Sequence, residues 1–306
     1  MPQNNFYNEE LSYDLNGNIL SLQRNAKSFY TNMAEQIDNL SYTYTGNRLN
    51  TVTDASANYQ GYPDTSGTPM TYDANGNMTK HEDKGILNIS YNFLNLPKDI
   101  LFNQEYIVRE PGEFDQIKNV SSTYLYRADG TKLRKNYAYG VKGTEKIKTT
   151  EYLDGFQYEV TNSAVQILQF VPTAEGYFDF VKNAYIYHYA DHLDKQVKST
   201  AFHAVCERSS VRLSYFKSGS SAAVLEENSY YPFGLQHINA LSVSSYKYKY
   251  NGKELQETGM YDYGARFYMP DAVIWGQHDP LAEVSRRFSP YAYAFNNPIR
   301  YIDPDG

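Results

Sequence analysis

The amino-acid sequence predicts a mainly β fold, built as a sheet of antiparallel hairpins. Three features of the 306-residue chain predict it: 32 tyrosines against one tryptophan, short runs that alternate Tyr, Thr, Val or Ile with polar residues, and Asn-Gly or Asp-Gly turns. Tyrosine suits a pleated surface because its ring packs on one side while its hydroxyl reaches water or a neighbouring group. With 41% hydrophobic residues, the chain can also bury a sizeable core.

Residues 1–240 are expected to form a succession of hairpins. The hexapeptides Tyr13–Asn18 and Tyr72–Asn77 are nearly identical, and looser copies begin at Tyr44, Tyr91 and Tyr126. An Asn-Gly pair between alternating runs predicts a two-residue type I′ turn, because Asn and Gly adopt the positive φ that both central positions need. Repeated units of this kind stack on their neighbours. The clearest strand candidates are Leu40–Tyr44, Ser122–Tyr126 and Tyr185–Tyr189.

Helix is expected to be a minor component. The best candidate is Ser28–Asn39. A second, short one runs from Asp279 to Arg287, where Asp279 is typical of an N-cap and Pro280 of the first helical position.

Charge and cysteine content exclude several classes of function. The formal net charge is −7 and there is no long basic run, so nucleic acid is not an expected partner. The single cysteine, Cys206, cannot form an internal disulfide. We find neither a signal peptide nor an apolar stretch of the roughly 18 residues that a membrane span needs. The sequence by itself leaves the localisation unknown.

The C-terminal part of the sequence contains several motifs in a specific order. These are Tyr261–Pro270, then Asp279-Pro280-Leu281-Ala282, then Asn296–Gly306, preceded by Tyr230–Gly234 and Tyr250–Glu254. Together they resemble the RHS-repeat-associated core, which ends the toxin-enclosing shell of polymorphic bacterial toxins, and the upstream hexapeptides resemble the YD repeats of the same family.

The resemblance implies a division into a YD-repeat region, 1–240, and an RHS-repeat-associated core, 241–306. The repeat sheet would form part of a curved shell, and the core would be a short segment of mixed structure. The remainder of the shell and a downstream toxin domain would be the partners, and the protein would be secreted or delivered by a bacterial secretion system. A partial shell leaves unpaired strand edges. No cofactor or metal is implied.

The resemblance also implies candidate catalytic residues, Asp279 and Asp303, which match aspartates associated with self-cleavage just after the second Asp-Pro motif. In such a dyad one carboxyl keeps a proton and polarises the scissile carbonyl while the other activates water. Arg266 matches an arginine of the family and is a candidate supporting residue. The simpler alternative is that both aspartates only start turns, and that Arg266 only forms a surface ion pair. The scissile bond would lie beyond Gly306, so this chain as it stands is not expected to cut itself.

Two stretches depart from the family pattern. Relatives commonly have a Gly-Arg pair before the aromatic residue at the position of Trp275, where this chain has Val273-Ile274. They also join Asp-His-Leu directly to the next strand, whereas an insertion near 194–210 separates Asp191 from Val211 here. We interpret the insertion as a long turn that the sheet can tolerate.

Other interpretations stay open. His188 and His192 have the spacing of a metal pair on a helix, but on a strand they would lie roughly 13 Å apart. Cys206 could be a nucleophile, although an ordinary free cysteine fits it better. The tyrosine rows could bind glycan or a cell-surface protein, although cross-strand packing is the simpler interpretation. A decayed cassette without function is a further possibility.

Overall fold

The computed structural model describes residues 5–28, 30–58, 60–63, 66–102, 121–140, 145–161, 165–191, 210–237 and 246–306. It confirms a mainly β, antiparallel fold. The first sheet contains β1 (Glu9–Tyr13), β2 (Ile19–Lys27), β3 (Ala34–Thr45) and β4 (Arg48–Asp54), and the second contains β5 (Thr71–Tyr72) and β6 (Met78–Lys80).

The largest sheet has eleven strands, which follow one another in space as they do in sequence. They are β7 (Ile86–Tyr91), β8 (Pro97–Phe102), β9 (Ser121–Tyr126), β10 (Lys132–Tyr139), β11 (Lys146–Leu153), β12 (Phe156–Thr161), β13 (Ile167–Thr173), β14 (Gly176–Asp179), β15 (Ala184–Ala190), β16 (Val211–Ser218) and β17 (Ser221–Glu227). The fourth sheet contains β18 (Glu254–Leu255), β19 (Tyr261–Asp262), β20 (Phe267–Met269) and β21 (Ile274–Trp275). Within the described ranges all four sheets are open, so none closes into a barrel.

The turns of the two hexapeptide copies are type I turns closed by a glycine bulge, which differs from the predicted type I′ geometry. In the Asp14–Asn18 loop, the Asp14 N–H donates to the Asn18 carbonyl (2.9 Å) and the Gly17 N–H to the Asp14 carbonyl (3.1 Å). Gly17 is the one residue of this loop with a positive φ, 79°. The pairing of β1 with β2 slips by one residue next to the loop, as a bulge requires.

The predicted helix at Ser28–Asn39 is wrong, because the second half of this stretch belongs to β3. Residues 34–41 pair with β2, and residues further along β3 pair with β4. Burial of Ile37 and Leu40 against the core outweighs the weak helical preference of the preceding residues. Around Asp279 the chain forms consecutive turns instead of a regular helix.

Helical structure in the described ranges is limited to three single 3₁₀ turns, Glu82–Lys84, Tyr250–Gly252 and Ala294–Asn296. None of the helices in these ranges is long and apolar enough to cross a membrane.

One large hydrophobic cluster joins the repeat sheets to the C-terminal segment. Its buried members include Leu22 and Leu40 from the first sheet, Ile100 from the largest sheet, and Tyr268 and Trp275 from the fourth. The predicted boundary at residue 240 falls in 238–245, outside the described residues, so the division into two regions stays a prediction.

The strands on either side of the predicted insertion pair directly. Ala190 of β15 faces Val211 of β16, the Asp191 N–H donates to the Ser210 carbonyl (3.2 Å), and Arg212 forms an ion pair with Asp191 (3.0 Å). Residues 192–209 lie outside the described residues. The sheet is therefore continuous across this position.

Candidate functional site

Arg266 lies on the tight turn between β19 and β20. The Asp262 carboxylate accepts from the Gly264 N–H (2.9 Å), and the Tyr263 N–H donates to the Arg266 carbonyl (3.1 Å). Gly264 has a φ of 103°, a conformation that favours glycine. The turn directs the Arg266 side chain inward, where it is 4% exposed, so it does not form the surface ion pair considered as the alternative.

Both predicted aspartates contact the same nitrogen of Arg266. Nη2 lies 3.4 Å from Asp279 Oδ2 and 3.0 Å from Asp303 Oδ2. The two carboxylates are separated by a long stretch of sequence, and each is about one quarter exposed. The structure therefore brings together the three residues that the sequence singled out.

Each aspartate also holds a turn with its other carboxylate oxygen. Asp279 Oδ1 accepts from the Leu281 N–H (2.7 Å), and Asp303 Oδ1 accepts from the Gly306 N–H (2.9 Å). The turn-forming role considered from the sequence is thus present. It uses one oxygen of each carboxylate and leaves the second oxygen directed at Arg266.

Arg266 is enclosed by protein on several sides. Nη1 donates to the Pro290 carbonyl (3.2 Å), and the guanidinium carbon lies 4.4 Å from the centroid of the Trp275 ring, which is cation–π distance. Burial lowers the pKa of Arg266, while Asp279 and Asp303 act against that shift. A buried guanidinium can donate hydrogen bonds to negative charge that develops next to it.

Three buried N–H donors at this site have no acceptor in the described part of the chain. They are Arg266 Nε, Trp275 Nε1 and Gln277 Nε2. In native proteins nearly all such groups find a partner in protein or in water. Sequence reasoning missed Gln277, and it noted Trp275 only as a departure from the family pattern.

Val273 occupies the position at which the resemblance predicts glycine. Its φ is 60° and its side chain is 1% exposed. A positive φ is strained for a β-branched residue, which is the physical reason for glycine at such a position. Ile274, in place of the arginine, packs in the main hydrophobic cluster, so Arg266 supplies the positive charge of this site.

The other candidate residues do not form a site in the described residues. His188 lies in β15 with its ring beside the stacked rings of Tyr177 and Tyr246, at centroid distances of 5.4 and 5.0 Å, and burial lowers its pKa to about 4. His192 and Cys206 are outside the described residues, and within these no cluster of metal-ligating side chains occurs.

The tyrosines of the repeats pack inward. The Tyr72 hydroxyl donates to the Leu49 carbonyl (2.9 Å) and the Tyr91 hydroxyl to the Met78 carbonyl, so each reaches the main chain of an earlier strand or turn. Tyr44 and Tyr126 also pack against the main hydrophobic cluster. These rings stabilise the stacking of repeats and do not present an open aromatic row.

Comparisons with known sequences match part of the chain. No protein-family model matches. The chain is similar to the toxin subunits YenC2 and YenC1 of Yersinia entomophaga, with 39% and 34% identity over 87 residues, and to salivary gland surface protein 1 of Aedes aegypti, with 39% identity over 80 residues. The matches cover 27%, 27% and 25% of this chain but 9%, 9% and 2% of those proteins, so the chain spans a small part of their length.

Comparisons with solved structures match nearly the whole chain. The crystal structure of TcdB2-TccC3-TEV has a TM-score of 0.60 at 18% identity, covering 99% of this chain and 16% of the other. TcdB2-TccC3 without its hypervariable C-terminal region gives 0.55 at 19%, covering 98% and 17%. The Photorhabdus luminescens Tc holotoxin pore with a mutated TccC3 gives 0.54 at 19%, covering 97% and 16%. Over almost its whole length, this chain therefore has the fold of one part of the Tc toxin structures.

Proposed function

We propose that this chain is part of an RHS-type shell that encloses and presents a toxin polypeptide, with Asp279 and Asp303 as the carboxylates of a single-turnover self-cleaving site. Its partners would be the remainder of the shell and a toxin segment joined after Gly306. As part of a delivered toxin, it would act outside the cell that makes it. The fold and the similarity to YenC2 support the shell.

The outer strands of the sheets also support an assembly with more chain. β1 and β17 each have one hydrogen-bonded neighbour among the described strands, so each presents an open edge. Open edges pair readily with further strands. The remainder of a shell would provide such strands at either end of this repeat series.

The observation that carries the catalytic part is the convergence of Asp279 and Asp303 on Arg266 Nη2. Turn formation alone requires one oxygen from each aspartate and does not require a shared partner. The hydrogen bond from the Gly306 N–H to Asp303 holds the main chain that follows the second Asp-Pro motif next to one of these carboxylates.

The chemistry would be hydrolysis of one peptide bond. One carboxylate accepts a proton from water as the water oxygen bonds to the carbonyl carbon, and the other carboxyl donates its proton to the leaving nitrogen as the C–N bond breaks. The guanidinium of Arg266 stabilises the negative oxygen of the intermediate. Because substrate and catalyst share a chain, proximity offsets the modest strength of these groups.

The test is the intact mass of a fusion in which a leucine-led linker and a reporter protein follow Gly306. We expect the unmodified fusion to release the reporter. Asp279→Asn and Asp303→Asn should retain it, because the amide cannot exchange the proton that each step needs. Asp154→Asn, in the exposed turn between β11 and β12, is the matched control and should cleave at the unmodified rate.

Cleavage that continues in both active-site variants would exclude this pair as the catalytic carboxylates. If the unmodified fusion stays intact, the same measurement on a chain extended upstream by further repeats would separate an inert site from one that needs more of the shell. If the extended fusion also stays intact, the shell role would stand and the self-cleaving activity would be excluded.

A further inference from the structure

The segment Asp303–Gly306 is bound through its main chain. Lys253 Nζ donates to the Pro304 carbonyl (2.6 Å) and the Ala265 N–H donates to the Asp305 carbonyl (2.9 Å). Within the segment, the Gly306 N–H donates to Asp303 Oδ1 (2.9 Å) and closes a turn. Pro304 and Asp305 are themselves exposed residues. The hydrogen bonds are therefore made with the backbone of the segment and not with the side chains of these two residues.

The approach of this segment to the β19–β20 turn is close enough to require glycine. A Cβ on Gly306 would lie 2.9 Å from the Arg266 amide nitrogen and 3.1 Å from Tyr263 Cβ, and the φ of Gly306 is 89°. A Cβ on Gly264, across the contact, would lie 3.6 Å from the Asp305 carbonyl oxygen. The turn thus forms a backbone-lined groove, and the segment lies in it.

The residues that line the groove are held from outside it. Lys253 Nζ lies 5.2 Å from the centroid of the Tyr263 ring, which fixes the ammonium over the turn. Asp262, which holds Gly264, is itself contacted by Lys132 Nζ of β10 at 2.6 Å. A groove with supported walls keeps its shape when the segment moves, as a binding site must.

We propose that Lys253 and the Asp262–Arg266 turn form a docking site for the polypeptide backbone of residues 303–306, and that Lys253 is a positioning residue for self-cleavage. It holds the Pro304 carbonyl so that the chain leaving Gly306 passes Asp279 and Asp303. The docking part stands on the contacts alone, whereas the positioning part rests on the proposed function.

The docking part is tested by amide hydrogen exchange, resolved to single residues, on the chain without a fusion. Lys253→Met keeps the aliphatic stem and removes the ammonium, Lys253→Arg restores a charged donor, and Lys98→Met is the control at an exposed lysine of β8. We expect exchange at the Ala265 N–H to rise about tenfold in Lys253→Met, to stay within about threefold in Lys253→Arg, and not to change in Lys98→Met. Unchanged exchange in Lys253→Met overturns the docking site.

The positioning part is tested by the rate of reporter release from the Gly306 fusion with the same three variants. We expect release about ten times slower in Lys253→Met and recovered in Lys253→Arg, with an unchanged thermal unfolding midpoint. If Lys253→Met exchanges faster but releases the reporter at an unchanged rate, the positioning role is wrong and the docking site stands. If neither the fusion nor its upstream-extended form cleaves while exchange responds as expected, docking stands, and both the self-cleavage part of the proposed function and the positioning role fail.

Discussion

At the scale of single residues, the aspartate of each repeat closes its turn with one carboxylate oxygen. Asp73 Oδ1 accepts from the Asn75 N–H (2.9 Å) and the Asn77 N–H (2.8 Å), and Asp14 does the same for the first copy. In a third copy, Asn92 Oδ1 takes this place, with Leu94 and Leu96 as donors. An amide oxygen is therefore sufficient for the turn.

This equivalence predicts the effect of two substitutions at Asp73. Asp73→Asn should lower the free energy of unfolding by less than about 1 kcal/mol, because it keeps the oxygen that accepts from the two backbone N–H groups and loses only the acceptor of the Asn77 side-chain amide (2.9 Å). Asp73→Ala should lower it by about 1 to 2 kcal/mol, the usual cost of losing a side-chain cap. Urea denaturation of both variants checks the prediction, and equal losses would assign the effect to charge instead of to the accepting oxygen.

The Tyr-Asp repeats could be found in the sequence, but the turn type could not be read from Asn-Gly alone. A type I′ turn would need a positive φ at Asn16, whereas Asp14 accepts from both Asn16 and Asn18 and so fixes a longer loop with a bulge. The deciding residue lies three positions before the glycine. Reading the hexapeptide as a unit would have given the observed geometry.

At the scale of elements, a buried cluster of charges ties β10 to the fourth sheet. Lys132 and Lys135 both contact Glu254, at 2.5 and 2.9 Å, and Lys135 also contacts Glu257 at 3.2 Å. Burial by itself would raise the pKa of Glu254, but the two lysines hold it well below its usual range. The repeat strand and the segment that contains the candidate site are thus joined by charge as well as by packing.

Removing one charge from this cluster should be costly. Lys135→Met leaves buried carboxylates with fewer partners, and we expect it to lower the free energy of unfolding by about 3 kcal/mol. Lys148→Met, in the neighbouring β11, breaks a partly exposed pair with Glu159 and should cost less than about 1 kcal/mol. Guanidinium denaturation of the two variants measures both free energies of unfolding. Similar losses would show that burial does not make the ion pairs of Lys135 more costly to break than the partly exposed pair of Lys148.

The hairpins were predictable because neighbouring strands are neighbours in sequence, whereas the contacts between elements were not. Arg24 of β2 donates to the carbonyl groups of Pro270 and Asp271, at 2.8 and 2.9 Å, and these two residues lie near the other end of the chain. No local pattern marks such a contact. The same holds for the predicted helix at Ser28–Asn39, where pairing with β2 decided the structure.

At the scale of the whole molecule, packing is uneven along the largest sheet. The main cluster includes Leu40 and Tyr42 of β3 and the buried face of β20, whereas β13 to β15 contribute to a separate small cluster of Phe170, Tyr177, Ile186 and Tyr246. β17 lies at the edge and supplies only partly buried Leu225 to that small cluster. Local stability should therefore fall towards β17.

Native-state hydrogen exchange in low denaturant should resolve this gradient. We expect the paired amides of β3 and β20 to exchange only through global unfolding, and those of β17 to open at a free energy about 2 kcal/mol lower. Equal opening free energies in β3 and β17 would mean that the described sheets unfold as one cooperative unit.

The site shows the limit of what the sequence alone allows. The resemblance supplied Asp279, Asp303 and Arg266, and the fold places all three in contact. Lys253, Trp275 and Gln277 were missed as contributors to the site, because their part in it depends on how four short strands fold back on one another. The Tyr250–Glu254 motif was visible, but the role of its lysine appears only when the Pro304 carbonyl lies beside it.

The segment Asp303–Gly306 and the groove that binds it are parts of the same chain. A free tetrapeptide held by two main-chain hydrogen bonds and the contact of Asp303 with Arg266 would bind weakly, but covalent attachment supplies an effective concentration that reaches the millimolar range or above. The groove can therefore stay filled without high affinity. Under the proposed function, a polypeptide joined at Gly306 would be led past the two carboxylates because it is covalently attached, and its sequence would not need to be recognised.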